Sequence, residues 1–160
     1  MKFLLRHNED LNLSYSFATK LSFISIPLLF GKAMLILSEE DYVIVGAVGF
    51  VYGTGLNGYE DRNICQIEIA YLVKENRCTT LFVQGLLSLL DVIKAGSPNV
   101  EKVQFWVTGD RSESDRLFSK FSALPGSEQL HVNGQVCHQI QFRELDDYCR
   151  KFNKRFGKVE

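Results

Sequence analysis

The chain has 160 residues, which suits one domain with a sizeable hydrophobic core. Apolar residues make up 46% and charged residues 23%, and the net charge of −1 gives no reason to expect a nucleic-acid or membrane-surface protein. Charged residues between positions 6 and 10 interrupt any secretory segment, and the apolar stretch 23–37 is broken and too short to span a bilayer. We therefore expect a single cytoplasmic domain over residues 1–160.

Four cysteines are scattered along the chain without a C-x-x-C pair, at Cys65, Cys78, Cys137 and Cys149. In a reducing compartment they are predicted to be free thiols, mostly small core residues. A zinc site requires clustered ligands, and here only Cys137 and His138 are adjacent. Because neighbouring residues on a strand point to opposite faces, that pair is poor chelating geometry, and we expect no metal site.

The first part of the chain is predicted to contain a short strand, a helical region and two further strands. Residues 1–6 are predicted as the first strand, and Asp10 as the N-cap of a helix whose apolar positions begin at Leu11. Pro27 and Gly31 are expected to divide the helical region into two pieces. The following strands are predicted at 33–37 and 42–52, with an acidic turn at 39–41 between them.

The second part alternates strands and helices. Its most regular helix is predicted at 80–95, where apolar residues recur every three or four positions. Asn133 and Gly134, between two β-rich runs, are a strong signal for a two-residue hairpin. The other elements are predicted as strands 64–73, 100–107, 128–132 and 135–142, a helix beginning near Ser112 or Ser114, and a C-terminal amphipathic helix. This order implies an α/β (α+β) domain of three layers, with helices on both faces of a mixed sheet.

Residues 53–58 match the pattern G-x-G-x-x-G and follow a predicted strand. That pattern indicates dinucleotide binding only where a helix opens immediately after it. Here polar residues 59–63 and another strand follow, without the apolar stripe of a crossover helix. A glycine-rich connection between antiparallel strands is the better interpretation, and dinucleotide binding is a minor alternative.

Three short segments carry a family resemblance. Residues 6–11 read RHNEDL before the helical region, residues 68–73 read EIAYLV in the strand before the long helix, and residues 117–120 read LFSK. With Arg77 at the start of the intervening turn and with the element order, they make nearly the whole chain resemble the GNAT superfamily of acyl-CoA-dependent N-acetyltransferases. The segments are similar to the family's opening strand-to-helix turn, its central strand and its L-Y-x-K motif. The resemblance implies a GNAT-like α/β/α fold with a mostly antiparallel sheet, and acetyl-CoA as co-substrate.

In the family, backbone N–H groups at the end of the central strand and at the start of the long helix bind coenzyme A. The resemblance places these contacts on Leu72, Val73, Lys74, Arg77, Cys78, Thr79, Thr80, Leu81 and Phe82. Uncapped N–H donors and the positive end of the helix dipole favour a phosphate at such a turn. The family's glycines are replaced here by Thr80 and Phe82, which removes the close approach that glycine permits. An ordinary N-capped helix is therefore an equal alternative to an anion site.

Glu68 is the candidate general base, because family members often carry a carboxylate at this position. Strand alternation predicts Gln66, Glu68 and Ala70 on one face and Ile67, Ile69 and Tyr71 on the other. Burial in a central strand would raise the pKa of the carboxyl group towards the range that is useful at neutral pH. The alternative is that Glu68 pairs with a nearby cation or hydroxyl for structural reasons alone.

The family's usual proton donor, a tyrosine, is replaced by Phe118, which cannot protonate a departing thiolate. Thr108, Ser114 or a water molecule could substitute, and the sequence does not choose among them. His138 lies on the same face as Val136 and Ile140 of a hairpin strand. A core histidine is the favoured interpretation, and a contact to substrate is the minor one.

Two functions are consistent with these residues. The first is transfer of an acetyl group from acetyl-CoA to an amine on a small molecule or a peptide. The family resemblance implies that residues 11–33 cover the acceptor. That segment is poor in charge, which hints at an acceptor without multiple strong charges. The second is a binding or regulatory module that keeps the fold without catalysis. We expect no nucleic-acid or membrane partner, and a homodimer stays open.

Overall fold

The structure is a computed structural model that describes residues 1–11, 13, 15–77, 79–108 and 115–156. The described residues form one six-stranded sheet in the order β1-β2-β3-β4-β6-β5. Its strands are β1 Lys32–Leu37, β2 Ile44–Tyr52, β3 Ile64–Leu72, β4 Lys102–Thr108, β5 Glu128–Val132 and β6 Gln135–Gln141. The helices are α1 Lys2–Arg6, α2 Phe17–Phe30, α3 Thr80–Gly96, α4 Asp115–Ser122 and α5 Phe142–Phe156. Among these described strands only the β3–β4 pair is parallel, so the predicted mixed, mostly antiparallel sheet is confirmed.

Helices cover both faces of the sheet and define its two cores. On the face covered by α3, here called the α3 face, the buried residues include Val48, Phe50, Cys65, Leu90, Ile93, Val103, Ile140 and Leu145. On the opposite face, here called the α2 face, a smaller core joins Leu4, Leu11, Ile24, Ala47, Ile69 and Tyr71. The predicted three-layer arrangement is therefore confirmed.

The prediction for the N-terminus is wrong. Residues 1–6 form helix α1 instead of a strand, and Leu5 N–H donates to the carbonyl of Met1 at 3.0 Å. Leu4 is buried against the α2 face, while Lys2 and Arg6 are exposed. A strand lying across a sheet face would leave its backbone groups unpaired, whereas one helical turn satisfies them locally. Segment 6–11 consequently begins at the last residue of a helix, not at the end of the opening strand that the family resemblance implied.

Helix α2 begins later than predicted. Its N-cap is Ser16, whose hydroxyl accepts a hydrogen bond from Thr19 N–H at 3.3 Å, and the helix starts at Phe17. Asp10 is therefore not the cap, and Leu11 is buried in the turn that precedes the helix. A serine followed by a helix-compatible run provides the better cap, because its side chain reaches the orphan donors of the first turn.

Pro27 does not divide α2, contrary to prediction. The helix continues through Pro27 to Phe30, and Gly31 N–H donates to the carbonyl of Pro27 at 3.0 Å. The proline ring packs directly against β2, where a Cβ added to Gly49 would come within 2.7 Å of Pro27 Cγ. This close packing offsets the cost of the hydrogen bond that proline removes.

From residue 32 onward, the predicted elements are confirmed to within two residues at every boundary that lies in the described residues. The start predicted near Ser112 or Ser114 for the next helix lies outside them. Asn133 and Gly134 have φ angles of 49° and 75°, the left-handed conformations of a two-residue hairpin. The glycine-rich segment holds a short 3-10 turn, Gly55–Asn57, and leads into antiparallel β3, so it is a strand connection as predicted.

Three of the four cysteines are buried free thiols, Cys65, Cys137 and Cys149, as predicted. Burial raises the pKa of the Cys65 thiol to about 12, which makes it a poor nucleophile at neutral pH. Cys78 lies outside the described residues. Over the ranges given above, no helix combines the length and apolar character that a membrane crossing demands.

A β-bulge in β3 changes the predicted faces of that strand. In the antiparallel pairing with β2, Gly49 is opposite Ile69 and Phe50 is opposite Ile67, so Glu68 is the extra residue. Ile67 packs on the α3 face, whereas Ile69 lies on the α2 face. The prediction that these two residues share a face is wrong, because the bulge shifts the alternation by one residue. Ala70 pairs with Val48 of the α3 face, so it does not share a face with Glu68 either.

Candidate functional site

The two central strands separate from each other at the bulge. The parallel pairing of β3 with β4 extends only from Ile64 opposite Lys102 to Ile67 opposite Phe105. Beyond that point β3 continues to Leu72 alongside β2, and β4 continues to Thr108 alongside β6. The opening between the two diverging strand ends, here called the splay, therefore begins at Glu68.

Backbone donors of β3 point into the splay. Val73 N–H donates to the carbonyl of Val45 at 2.8 Å, which fixes the side of β3 that faces β2. Because successive N–H groups of a strand point in opposite directions, those of Leu72 and Ala70 point towards the splay. Within the described residues, β4 does not pair with β3 at these positions. An extended ligand could therefore add to β3 here as a further strand would.

The turn after β3 is closed by the side chains of Arg77 and Thr79. Residues Lys74–Asn76 form a single 3-10 turn, and Arg77 Nε donates to the carbonyl of Leu72 at 2.8 Å. The Thr79 hydroxyl donates to the carbonyl of Asn76 at 2.6 Å, so it does not cap helix α3. Phe82 N–H donates to the Thr79 carbonyl at 3.2 Å in the first turn of the helix.

The start of α3 keeps two backbone donors that the Thr79 side chain does not satisfy. These are the N–H groups of Thr80 and Leu81, the first two of the helix. The Thr80 side chain is exposed, and that of Phe82 is half-buried, whereas Leu89 and Ile93 further along the helix are buried. Thr80 and Phe82, which replace the family's glycines, therefore place a hydroxyl group and an aromatic ring beside the N-terminus of α3. Cys78, the remaining predicted contact, lies outside the described residues.

Glu68 lies at the mouth of the splay on the α2 face, half-buried. Its Oε1 accepts a hydrogen bond from Gln66 Nε2 at 2.7 Å. Desolvation raises the pKa of the Glu68 carboxyl group above its ordinary value, and the hydrogen bond from Gln66 partly opposes that shift. Burial therefore moves the pKa of this carboxyl group in the direction that suits a general base working near neutral pH.

Phe118 belongs to an aromatic stack on the α3 face. Its ring centroid lies 5.4 Å from that of Phe105 and 5.3 Å from that of His138, and Phe105 and His138 are stacked at 5.2 Å. Phe105 is the last β4 residue that pairs with β3, so the stack lies at the base of the splay. Of the two residues predicted as alternative acids, Thr108 ends β4 and is half-buried, and Ser114 lies outside the described residues.

His138 is a core histidine, as predicted. Its side chain is buried, and Nδ1 lies 3.4 Å from the Ser122 hydroxyl. Burial lowers its pKa, with a smaller contribution from His131. A buried, stacked imidazole in this place belongs to the packing of α4 against β6.

A polar cluster at the end of β3 was missed at the level of sequence. The Tyr71 hydroxyl lies 3.3 Å from His7 Nδ1 and donates to Asp10 Oδ2 at 3.4 Å. The His7 ring stacks on the Tyr71 ring with centroids 5.0 Å apart, and the Arg77 guanidinium lies 5.6 Å from the centroid of the same ring. Burial and the Asp10 carboxylate raise the pKa of Tyr71. No local pattern predicts this cluster, because its two halves lie far apart in the sequence.

Comparison with known proteins identifies the fold. No protein-family model matches the sequence, and no curated protein matches it. A GNAT-family acetyltransferase from Staphylococcus aureus superposes with a TM-score of 0.62 at 11% identity, covering 87% of this chain and 88% of that one. A spermidine N-acetyltransferase from Vibrio cholerae gives 0.57 at 12% identity and 90% of each chain. A ribosomal-protein-S5-alanine acetyltransferase from Vibrio fischeri gives 0.55 at 11%, covering 89% and 85%.

The chain therefore has the GNAT fold. The superpositions, with TM-scores of 0.55–0.62, establish a shared fold, and identities of 11–12% do not establish a shared activity. The fold resemblance inferred from segments 68–73 and 117–120 is confirmed. What the chain does within that fold has to be argued from its own residues.

Proposed function

We propose that this protein is an N-acetyltransferase that moves an acetyl group from acetyl-CoA to an amine. The observation that carries the proposal is the splay, which opens at the same residue, Glu68, that offers a half-buried carboxyl group. An opening between two strand ends and a carboxyl group whose pKa is raised by burial are thus adjacent at one irregularity of the sheet. Bulges of this kind commonly direct a side chain at a functional site.

The chain's own groups fit the parts of acetyl-CoA. The amide-containing pantetheine arm is extended, and the N–H groups of Ala70 and Leu72 face the splay where it would lie. The pyrophosphate is a compact anion, which suits the donors of Thr80 and Leu81 and the positive end of α3. The exposed Lys74 and the Thr80 hydroxyl are close in sequence to the same point and add charge and a donor.

Acetyl transfer then requires Glu68 to accept one proton from the acceptor amine, directly or through water. The amine nitrogen forms a bond to the thioester carbonyl carbon, and the carbon–sulfur bond breaks in the collapse that follows. The departing thiolate is protonated through water or the Thr108 hydroxyl, because Phe118 has no proton to give. Solvent re-protonates that donor, and Glu68 releases to solvent the proton that it took from the amine. N–H groups of β3 that face the splay are suited to stabilise the oxyanion.

The acceptor would approach from the α2 face, where the Glu68 carboxyl group lies. Helix α2, in the charge-poor segment predicted to cover the acceptor, packs beside β2 and β3 on that face. This supports an acceptor without multiple strong charges, on a small molecule or a peptide. Cytoplasmic location, a single domain and the absence of nucleic-acid and membrane partners stay predictions, and a homodimer stays open.

The second candidate is a GNAT-fold binding module without catalysis. Two observations favour it. Phe118 has no proton to donate and is part of an aromatic stack. The half-buried Phe82 stands where the family has a glycine. In this case the turn before α3 would be an ordinary helix start. The two candidates differ in whether coenzyme A binds at all.

Isothermal titration with acetyl-CoA separates the two candidates. The parent is compared with a Thr80→Gly, Phe82→Gly double variant, and with Gln84→Gly, Ser88→Gly as a control for the helix cost of two glycines. The proposal expects the parent and the control to bind with a Kd of roughly micromolar size, or about −8 kcal/mol. Binding by the double variant alone would favour the inactive module. Binding by none of the three would exclude coenzyme A as a ligand.

A further inference from the structure

A chain of hydrogen-bonded side chains crosses three strands and ends on Glu68. Lys102 Nζ donates to Gln139 Oε1 at 3.0 Å, and Gln139 Nε2 donates to Gln104 Oε1 at 3.1 Å. Gln104 Nε2 donates to Gln66 Oε1 at 2.9 Å, and Gln66 Nε2 donates to Glu68 Oε1 at 2.7 Å. Five side chains are therefore joined by four consecutive hydrogen bonds.

The register of the sheet aligns these side chains. Gln66 is directly opposite Gln104 in the parallel pair, and Gln104 is directly opposite Gln139 in the antiparallel pair. Directly paired residues have neighbouring Cβ atoms on one face, which brings their amide groups within reach of each other. That face is the α2 face, because the intervening Val103 and Ile140 belong to the core of the α3 face.

The two ends of the chain fix the direction of every hydrogen bond. A lysine ammonium can only donate, and a carboxylate can only accept, so each amide between them accepts on one side and donates on the other. Aligned in this sense, the bonds strengthen one another by about 10–30% for each bond. A charge-assisted hydrogen bond to a carboxylate is stronger than one to the neutral acid. The chain therefore favours the ionised form of Glu68.

Packing alone does not account for these residues. Gln104 is 7% exposed in a central strand, a position where an apolar residue would fit without the cost of desolvating an amide. Three amides in register form a satisfied network only because each has its two partners. The network ends on the one carboxyl group that the described residues place at the mouth of the splay.

Most of the other titratable groups near β3 have hydrogen-bond partners outside this network. From α2, Lys20 Nζ donates to the carbonyl of Asn8 at 3.2 Å, and His7 and Asp10 meet at the Tyr71 hydroxyl. The titratable side chain of β2, Tyr52, donates to the Ile93 carbonyl in the core of the α3 face. On the far side, β5 places Glu128 opposite Gln139, where it is exposed. These groups form the electrostatic background against which the chain acts.

We propose that Lys102, Gln139, Gln104 and Gln66 are positioning residues that orient the Glu68 carboxylate at the splay and hold it ionised. The four residues act on Glu68 through consecutive hydrogen bonds, and only Gln66 among them touches it. The catalytic consequence, a base that is available at lower pH, rests on the proposed acetyltransferase function. The effect on the ionisation of Glu68 does not depend on that function, so it is measurable in the protein without any substrate.

The test is an NMR titration of the Glu68 carboxyl carbon in protein labelled with ¹³C-glutamate, with Glu68→Gln used to assign the signal. The variants are Gln66→Met, Gln104→Met and Lys102→Met, which keep side-chain volume, with the exposed Lys151→Met as the control. We expect the midpoint to rise in all three, most for Gln66 and least for Lys102. For Gln104 the rise should be on the order of a few tenths of a pH unit, given modest cooperativity between bonds. Lys102→Arg, which keeps a positively charged donor at this position, should have the same midpoint as the parent.

The outcomes separate this proposal from the proposed function. The proposal would be overturned if the Gln104→Met variant kept a native ¹H–¹⁵N spectrum and had the same Glu68 midpoint as the parent and the Lys151→Met control. If the midpoints shift while the parent shows no acetyl transfer, the role of the hydrogen-bonded side chains is supported and the acetyltransferase function is contradicted. If activity depends on Glu68 and the midpoints do not shift, the acetyltransferase function is supported and the role of the hydrogen-bonded side chains is contradicted.

Discussion

Replacing Glu68 by glutamine tests the proposed base most directly. The two side chains have the same shape, and the amide oxygen of the Glu68→Gln variant can still accept the hydrogen bond that Gln66 Nε2 makes at 2.7 Å. Glu68 is half-buried, and neither of its carboxyl oxygens is both buried and without a partner, so the added NH₂ group is not expected to be trapped without one. We therefore expect Glu68→Gln to fold like the parent, with a change in the free energy of unfolding below about 1 kcal/mol near pH 5.

The expected loss is catalytic. Removing a positioned general base typically slows a reaction by about 10²–10⁴-fold, which corresponds to roughly 2.7–5.5 kcal/mol of barrier. The parent's kcat/KM should rise with pH through the pKa of Glu68, which burial places above the ordinary glutamate value. In Glu68→Gln that rising limb should disappear, because the group that titrates is gone.

The assay is release of free coenzyme A thiol in a screen of amine acceptors, with Glu60→Gln as an exposed, charge-matched control. The stability of the variant supplies a second measurement. Because the folded pKa of Glu68 is raised, the parent loses stability relative to Glu68→Gln as pH rises from the unfolded value of 4.5 through the folded one. A variant as active as the parent would remove Glu68 from the mechanism.

Three further predictions concern the scaffold. Ile93→Ala should lower the free energy of unfolding in urea by about 2–5 kcal/mol, because Ile93 is 0% exposed, whereas exposed Lys94→Ala should change it by less than about 0.5 kcal/mol. Gly49→Ala should cost about 1–3 kcal/mol, because the new Cβ would lie 2.7 Å from Pro27 Cγ; an unchanged urea midpoint would contradict that contact. His138 has a folded pKa below its ordinary 6.5, so the parent should lose stability as pH falls below 6.5, and His138→Phe should reduce that loss. An equally steep decline in the variant would show that His138 is not its source.

Most of the fold could be predicted because its signals are local. The apolar stripe of α3, the Asn133-Gly134 turn and the β-branched run of β2 each depend on residues that are close in sequence. The order of these elements then limits the topology. The N-terminus was predicted wrongly because its structure is decided by distant contacts. Leu4 lies in a helix that packs in one core with Ile69, and Pro27 is accepted inside a helix because Gly49 leaves room for it.

The site was less predictable for a related reason. Glu68 could be singled out from its place in a strand, but the bulge beside it breaks the alternation that the prediction assumed. The glutamine chain is invisible in sequence, because Gln66, Gln104 and Gln139 become neighbours only through the registers of two strand pairs. Polar residues at alternate positions of three separate strands have no local pattern that marks them as a network.

The bulge links the fold to the proposed chemistry. One extra residue in β3 lets Ile67 pack on the α3 face and Ile69 on the α2 face, so each core keeps its apolar contact. The same extra residue coincides with the end of pairing to β4, because Ile67 opposite Phe105 is the last pair and the described strands give Glu68 no partner on either side. A residue outside the backbone ladder could adopt several side-chain rotamers, whereas a general base has to be held in one orientation. Gln66, held by Gln104 in the last paired stretch, is the nearest rigid point from which that rotamer can be fixed. The stretch in which β3 and β4 are paired thus orients the residue at which these two strands begin to diverge.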